Sequence, residues 1–194
     1  MVLALFDFDG TVTKKDSFLH FLIFSNGFLK LILKSVPLIP VLILYKIKLM
    51  SNHQAKELIF SFFFKGFSRD EFDNCSKNFA ENNLNKLINN TAIDKIKWHK
   101  KRNHKVVLVS ASIENYLFYW CLKNEIELIG TRVEVIDNFL TGKFQGKNCF
   151  GPEKVSRIKN KFDLKKVKKI YAYGDSTGDS EMLELADYKY LKYF

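Results

Sequence analysis

Arginine is scarce in this chain of 194 residues: among 31 basic residues only Arg69, Arg102, Arg132 and Arg157 are not lysine. Proteins that read nucleic acid rely on the planar fork of arginine for bidentate contacts. A nucleic-acid partner is therefore not expected, despite a formal net charge of +10. The positive balance suits an anionic membrane or a phosphorylated substrate better. Cysteine is scarce as well, with Cys75, Cys121 and Cys149 far apart and no C-x-x-C pair. That pattern argues against a disulfide framework or a cysteine zinc site, and favours a reducing, cytoplasmic setting. No secretory leader is expected, because Asp7 interrupts the first apolar stretch. Acidic residues are missing altogether between Asp16 and Glu57.

What is present is a globular composition, 47% hydrophobic with 19 Phe. That is enough for one domain, or for one domain carrying an inserted lobe. Three apolar runs read as strands buried on both faces: Val2 to Phe6, Lys105 to Val109 and Lys169 to Tyr173. A shorter run covers Ile126 to Ile129. Segments of helical period lie at Ile113 to Lys123, Glu153 to Lys161 and Asp179 to Ala186. Alternation of this kind predicts an α/β fold, a Rossmann-like parallel sheet flanked by helices. In such sheets ligands gather at the carboxyl ends of the strands. RVEVIDNFLTGKFQG, residues 132–146, alternates around Asp137-Asn138 and predicts a β-hairpin. The alternating run from Tyr188 to Phe194 suits an edge strand. Residues 16–102 show no comparable strand and read as an all-helical insert between core segments 1–15 and 103–194. Within it, Ser68 to Glu71 is a capping box.

The first strand ends in a costly way. FDFDGT places Asp7 and Asp9 two residues apart, on one side of the strand, where unpaired charge is expensive. A divalent cation resolves the conflict. Mg²⁺ takes oxygen ligands, keeps several waters and needs few carboxylates. Asp7 and Asp175 would suffice, with Asp179 four residues further on. Ser110 ends its strand just before a helix, where its hydroxyl and nearby N–H groups suit a phosphate oxygen. Lys154, in GPEK, sits near a helix start, an unfavourable place for a cation unless it has a task there.

FDFDGT, SAS, GPEK and GDSTGD, in that order and over essentially the whole chain, resemble the four motifs of the haloacid-dehalogenase-like phosphatase superfamily. The resemblance implies a phosphoric monoester hydrolase that works through an aspartyl-phosphate and uses Mg²⁺. Asp7 would be the nucleophile and Asp9 the general acid and base. Ser110, Lys154 and Thr11 would hold the phosphate, and Asp7, Asp9, Asp175 and Asp179 the metal, Asp9 through its backbone carbonyl. The same acid would also serve a mutase or phosphotransferase. The insert resembles the helical cap of the phosphoserine-phosphatase-like branch, subfamily IB.

The cap sequence bears on substrate. Lys30, Lys34, Lys46, Lys48 and Lys56 lie among Phe and Leu, and LILKSVPLIPVLILYKIK resembles members acting on phosphatidylglycerophosphate. The uncharged piece from Ser35 to Tyr45 is too short to span a bilayer, and Pro37 and Pro40 are expected to break a helix start. An interfacial anchor, peripheral on the inner face of the membrane, fits better. The competing expectation is a soluble small-molecule phosphatase whose apolar cap only packs on itself.

Overall fold

The computed structural model describes all residues from Met1 to Phe194. Five strands form one parallel sheet in the order β3-β2-β1-β6-β7. They are β1 (Val2–Phe6), β2 (Lys105–Ile113), β3 (Glu127–Thr131), β6 (Lys169–Gly174) and the edge strand β7 (Tyr188–Leu191). β1 is central, with Leu5 opposite Val107 on one side and Ala172 on the other. Period two then sorts its side chains between two cores. Ala4 and Phe6 join the larger cluster, with α6 (Asn90–Lys100) and α7 (Glu114–Lys123). Leu3 and Leu5 join the smaller one, with α8 (Pro152–Lys161) and α9 (Ser180–Glu184). Each such buried aliphatic side chain contributes about 1.5–3 kcal/mol. Sequence thus dictates layering directly: both-face apolar strands demand helices on both faces.

β2 runs further than the apolar stretch suggests. It continues through Ser110-Ala111-Ser112 to Ile113, with an irregular register against β3 between Val109 and Ile113. The expected hairpin is β4 (Val133–Ile136) with β5 (Phe139–Phe144). Asp137 and Asn138 both take positive φ, as the two-residue turn of a hairpin requires.

Between β1 and β2 the chain is helical: α1 (Ser17–Asn26), α2 (Phe28–Ser35), α3 (Ile39–Lys46), α4 (Asn52–Phe64), α5 (Arg69–Asn82) and then α6. Asp16 caps α1, and capping boxes open α4 at Ser51 and α5 at Ser68. Phe21, Phe60, Phe64, Phe72 and Phe79 fill the space between α1, α4 and α5. That aromatic core continues into the sheet's larger cluster through Tyr116 on α7, whose ring centroid lies 5.0 Å from that of Phe21.

Two local features depart from expectation. α6 lies inside the range 16–102, yet it packs on the sheet: His99 meets the Tyr173 hydroxyl at 3.0 Å and stands edge-on to Phe6. The connectors that do leave and re-enter the sheet run side by side, with Lys14 N–H donating to Leu87 O and Asn89 N–H to Val12 O, each at 2.8 Å. The second departure concerns the prolines. α2, a short 3₁₀ turn and α3 form one helical run from Phe28 to Lys46 of 19 residues, with mean hydropathy 1.9 over its most apolar window. Pro37 and Pro40 fall in the first turns of their segments, where no intrahelical N–H bond is lost, so they do not stop the run.

Candidate active site

The carboxyl end of β1 delivers Asp7 beneath the ends of β2 and β6. Asp7 N–H donates to Tyr173 O at 2.9 Å, which fixes the residue against β6. Asp7 is 6% exposed. Its Oδ1 lies 2.5 Å from Lys154 Nζ, which also reaches Asp179 Oδ1 at 2.6 Å and donates to Val109 O at 2.9 Å. Lys154 is buried at the start of α8. One carboxylate oxygen from each of Asp7, Asp175 and Asp179 lies within 4.8 Å of the other two.

Charge decides what this cluster needs. Three carboxylates against one ammonium leave two negative charges when all are ionised, which one divalent cation balances. Burial raises the Asp7 carboxyl from 3.8 to about 7, with Lys154 opposing and Asp179 and Asp9 adding to the rise. Burial and the neighbouring Asp179 raise Asp175 as well. Burial alone would lower the Lys154 amine, but Asp7 and Asp179 outweigh it and hold it above its ordinary value. The lysine therefore stays charged, and the acids share what compensation it provides.

Three further observations fit a cation and a phosphate here. Thr11 Oγ1 is buried without a hydrogen-bond partner, a group that folding alone leaves unsatisfied. Gly10, at φ +83°, leaves room that a Cβ would take from the Asp175 carboxylate. Gly174 likewise admits the Asp179 side chain, whose Oδ2 accepts from the N–H groups of Asp175 and Ser176. Both oxygens of Asp179 thus already hold protein partners, while Asp175 is only half-buried and free to reach inward.

Asp9 occupies a second position. Its Oδ1 accepts from Ser17 N–H at 2.6 Å and its Oδ2 from the Ser112 hydroxyl at 2.5 Å. Burial and the nearby Asp16 raise its pKa, which these two bonds moderate. Burial favours the protonated acid and the two donated bonds favour the carboxylate, the two forms that a group giving and taking a proton passes between. Ser110 is buried at the end of the regular part of β2, and its Oγ accepts from Ser112 N–H at 3.0 Å.

This arrangement of a strand-end Asp pair, a buried lysine and a second acidic loop can be set against known proteins. The haloacid dehalogenase-like hydrolase family matches residues 4–184. The chain belongs to that family. Protein CicA of Caulobacter vibrioides is 34% identical to this hydrolase over 196 residues, covering all of this chain and 86% of its own. Among solved structures, a protein of unknown function from Bordetella pertussis Tohama I superposes with a TM-score of 0.76 at 21% identity, over 95% of this chain and 86% of that one. A phosphoserine phosphatase captured as a phospho-aspartyl intermediate analogue superposes with a TM-score of 0.69 at 19% identity, over 97% and 84%. At these identities the structural likeness is one of fold.

The hydrolase gathers every site residue expected from its sequence, Asp7, Asp9, Thr11, Ser110, Lys154, Asp175 and Asp179, at one rim of the sheet. It also brings three that the sequence does not assign to the site. Ser17 and Ser112 hold the two oxygens of Asp9, and their hydroxyls meet each other at 3.2 Å. Ser112 could have been found from its period-two relation to Ser110 along one strand. The third is Lys56 on α4, grouped by sequence with the lysines of an interfacial cap but turned inward here: its Nζ donates to Ala111 O at 2.9 Å and lies 4.8 Å from the Phe18 ring centroid. Burial lowers its pKa against the opposing pull of Asp9, Asp16 and Asp7. No local motif marks Lys56; only the fold of the insert over the rim reveals it.

Proposed function

We propose that this hydrolase is a Mg²⁺-dependent phosphomonoester phosphatase that works through an aspartyl-phosphate on Asp7. The observation that carries the reading is the buried Asp7 carboxylate, held by Lys154 and clustered with Asp175 and Asp179. Asp7 and Asp175 are the residues best placed to hold the metal, with Asp179 orienting Lys154 and the 175–176 turn; the family resemblance would add the Asp9 backbone carbonyl. Bound there, Mg²⁺ would neutralise phosphate charge and lower the Asp7 pKa.

The chain's own groups account for the rest. A carboxylate oxygen of Asp7 attacks phosphorus as the bond to the ester oxygen breaks, and Asp9 gives its proton to that leaving oxygen. Water then attacks phosphorus and passes its proton to Asp9, releasing inorganic phosphate and free Asp7. Lys154, Ser110 and Thr11 supply donors to the phosphate oxygens throughout. Ser17 and Ser112 fix Asp9 for both proton transfers.

The cap decides substrate, and we take it as 15–87, since α6 packs on the sheet and the connectors pair at Leu87 to Asn89. A lipid phosphomonoester such as phosphatidylglycerophosphate is favoured by the acid-free, lysine-bearing apolar stretch that follows α1. Such a substrate implies a cytoplasmic protein peripheral to the membrane. A soluble, phosphoserine-like substrate is the competing reading. It is favoured by Lys56 and Asp16, a cation and an acid near enough to Asp9 to shift its neighbourhood, as an amino-acid substrate would require. The test is hydrolysis of p-nitrophenyl phosphate with and without Mg²⁺, followed by a screen of phosphorylated lipids and metabolites. Mg²⁺-dependent release of phosphate supports the chemistry; equal rates in chelator refute it. The preferred natural class chooses between the two substrates.

A further inference from the structure

The run from Phe28 to Lys46 is the feature of the fold that water tolerates least. Only 11% of its most apolar window is buried, and α3 buries none of its side chains. Twelve large apolar side chains between Phe28 and Leu49 stand exposed, among them Leu29 at 76% and Leu33 at 75%. Soluble monomers rarely leave a contiguous apolar face of this extent uncovered. The composition is long and apolar enough to cross a bilayer, but the topology forbids it. A single crossing would put the chain before Phe28 and the chain after Lys46 on opposite sides. β1 precedes the run and β2 follows it, yet they are hydrogen-bonded neighbours in one sheet. α1 and α4 flank it directly, and Phe21 stacks on Phe64 between them.

A second copy of the chain is also a poor cover. Lys30, Lys34 and Lys46 lie in the run and Lys48 just beyond it, and no acid lies between Asp16 and Glu57. A two-fold contact would set these lysines against their equivalents with no carboxylate from the same stretch to pair them. An anionic lipid surface meets both demands, since headgroups pair the lysines and acyl chains cover the apolar side chains.

We infer that α2 and α3 lie along the surface of an anionic bilayer as the docking face of the protein, without spanning it. The placement also bears on the site. Tyr45, near the end of α3, accepts a hydrogen bond from Asn52 at 3.1 Å, and Asn52 in turn accepts one from Asn148 at 2.5 Å, in the loop leading to Lys154. One end of the docking run is therefore tied to the site's rim. As a route for supplying a lipid phosphate this rests on the phosphatase reading; as a docking surface it stands without it.

The test is co-sedimentation of the full chain with vesicles of phosphatidylcholine alone, and with vesicles of equal parts phosphatidylcholine and phosphatidylglycerol. Wild type should pellet with the anionic vesicles and be released by alkaline carbonate. The variant L29S/L33S, and separately reversal of Lys30, Lys34, Lys46 and Lys48 to Glu, should each weaken binding by about ten-fold or more. Both variants should keep the wild-type melting temperature and rate on p-nitrophenyl phosphate within about two-fold, as changes at exposed positions do. Wild type left in the supernatant with both vesicle types overturns the inference. So does L29S/L33S that pellets like wild type, retention against carbonate, or a wild-type dimer that L29S/L33S dissolves. Vesicle binding with the expected variant pattern, in a protein that hydrolyses nothing, upholds the docking face and defeats the phosphatase reading instead.

Discussion

The sheet rim and the outer cap violate the usual partition of residues in opposite directions. The rim buries Asp7, Lys154 and Asp179, while the cap leaves Leu29, Leu33 and their neighbours in water. Each is costly alone, the first by desolvation and the second by exposed apolar area. Each makes sense once a partner is supplied: a divalent cation with a phosphate for the rim, a lipid surface for the cap. The difference lies in how far the protein compensates for itself. At the rim Lys154 and the 175–176 turn hold Asp7 and Asp179 in place, while Thr11 Oγ1 is left without a partner, so the site is largely built before a ligand arrives. On α2 and α3 almost nothing is satisfied internally.

The largest expected effect breaks the rim at its centre. Asp7→Asn should lower hydrolysis of p-nitrophenyl phosphate by about 10⁴-fold or more, as loss of a nucleophile does, while the chain stays folded. Residual activity within an order of magnitude of wild type would move the nucleophile elsewhere. Lys154→Met comes next. It leaves Asp7 and Asp179 facing each other without their ammonium, which should cost roughly 3–5 kcal/mol of stability in metal-free protein. Added Mg²⁺ should restore part of the lost melting temperature, because the cation replaces the missing positive charge. No recovery would argue that the acids do not share an ion.

The raised pKa of Asp7 gives a pH signature. Its value rises from 3.8 to about 7 on folding, so the folded chain holds this proton more tightly than the unfolded one. The associated stability is present at low pH and is lost as pH climbs from about 4 through about 7. In chelator, wild type should therefore lose melting temperature relative to Asp7→Asn across that window. A gap that stays constant with pH would contradict a buried carboxylate that Lys154 compensates only in part. The smallest effect is at Asp9. Ser112→Ala removes one of its two donors, worth roughly 1.5–3 kcal/mol for a bond to a charged group. Turnover should drop by about ten-fold with KM little changed, and the pH profile should shift upward as Asp9 loses a bond that lowers its pKa. An unshifted profile would leave Ser112 a structural residue only.

Legibility in the sequence followed the same division. β1, β2 and β6 could be read because strands buried on both faces are continuously apolar, and the acids at their ends stand out as charge where none is affordable. The hairpin could be read from Asp137-Asn138, whose positive φ needs such residues. Ser17 and Lys56 could not, because their partners are set by tertiary contact; Ser112 is marked by its period-two relation to Ser110, yet its partner Asp9 lies 103 positions away. The continuity of the Phe28–Lys46 run was hidden by Pro37 and Pro40, which read as breakers but sit where helices begin. α6 was grouped with the insert because helical period says nothing about which surface a helix covers. Its place on the sheet is marked by Ala92 and Ile96 in the larger core and by His99 meeting Tyr173, contacts invisible in a linear reading.

The most direct examination of the central claim is to quench the Mg²⁺-loaded protein during turnover of p-nitrophenyl phosphate and locate the phosphoryl group by mass spectrometry. The account predicts a transient, hydroxylamine-sensitive phosphate on the peptide carrying Asp7, absent from Asp7→Asn. A phosphate trapped on any other residue, or turnover by Asp7→Asn at the wild-type rate, would contradict it.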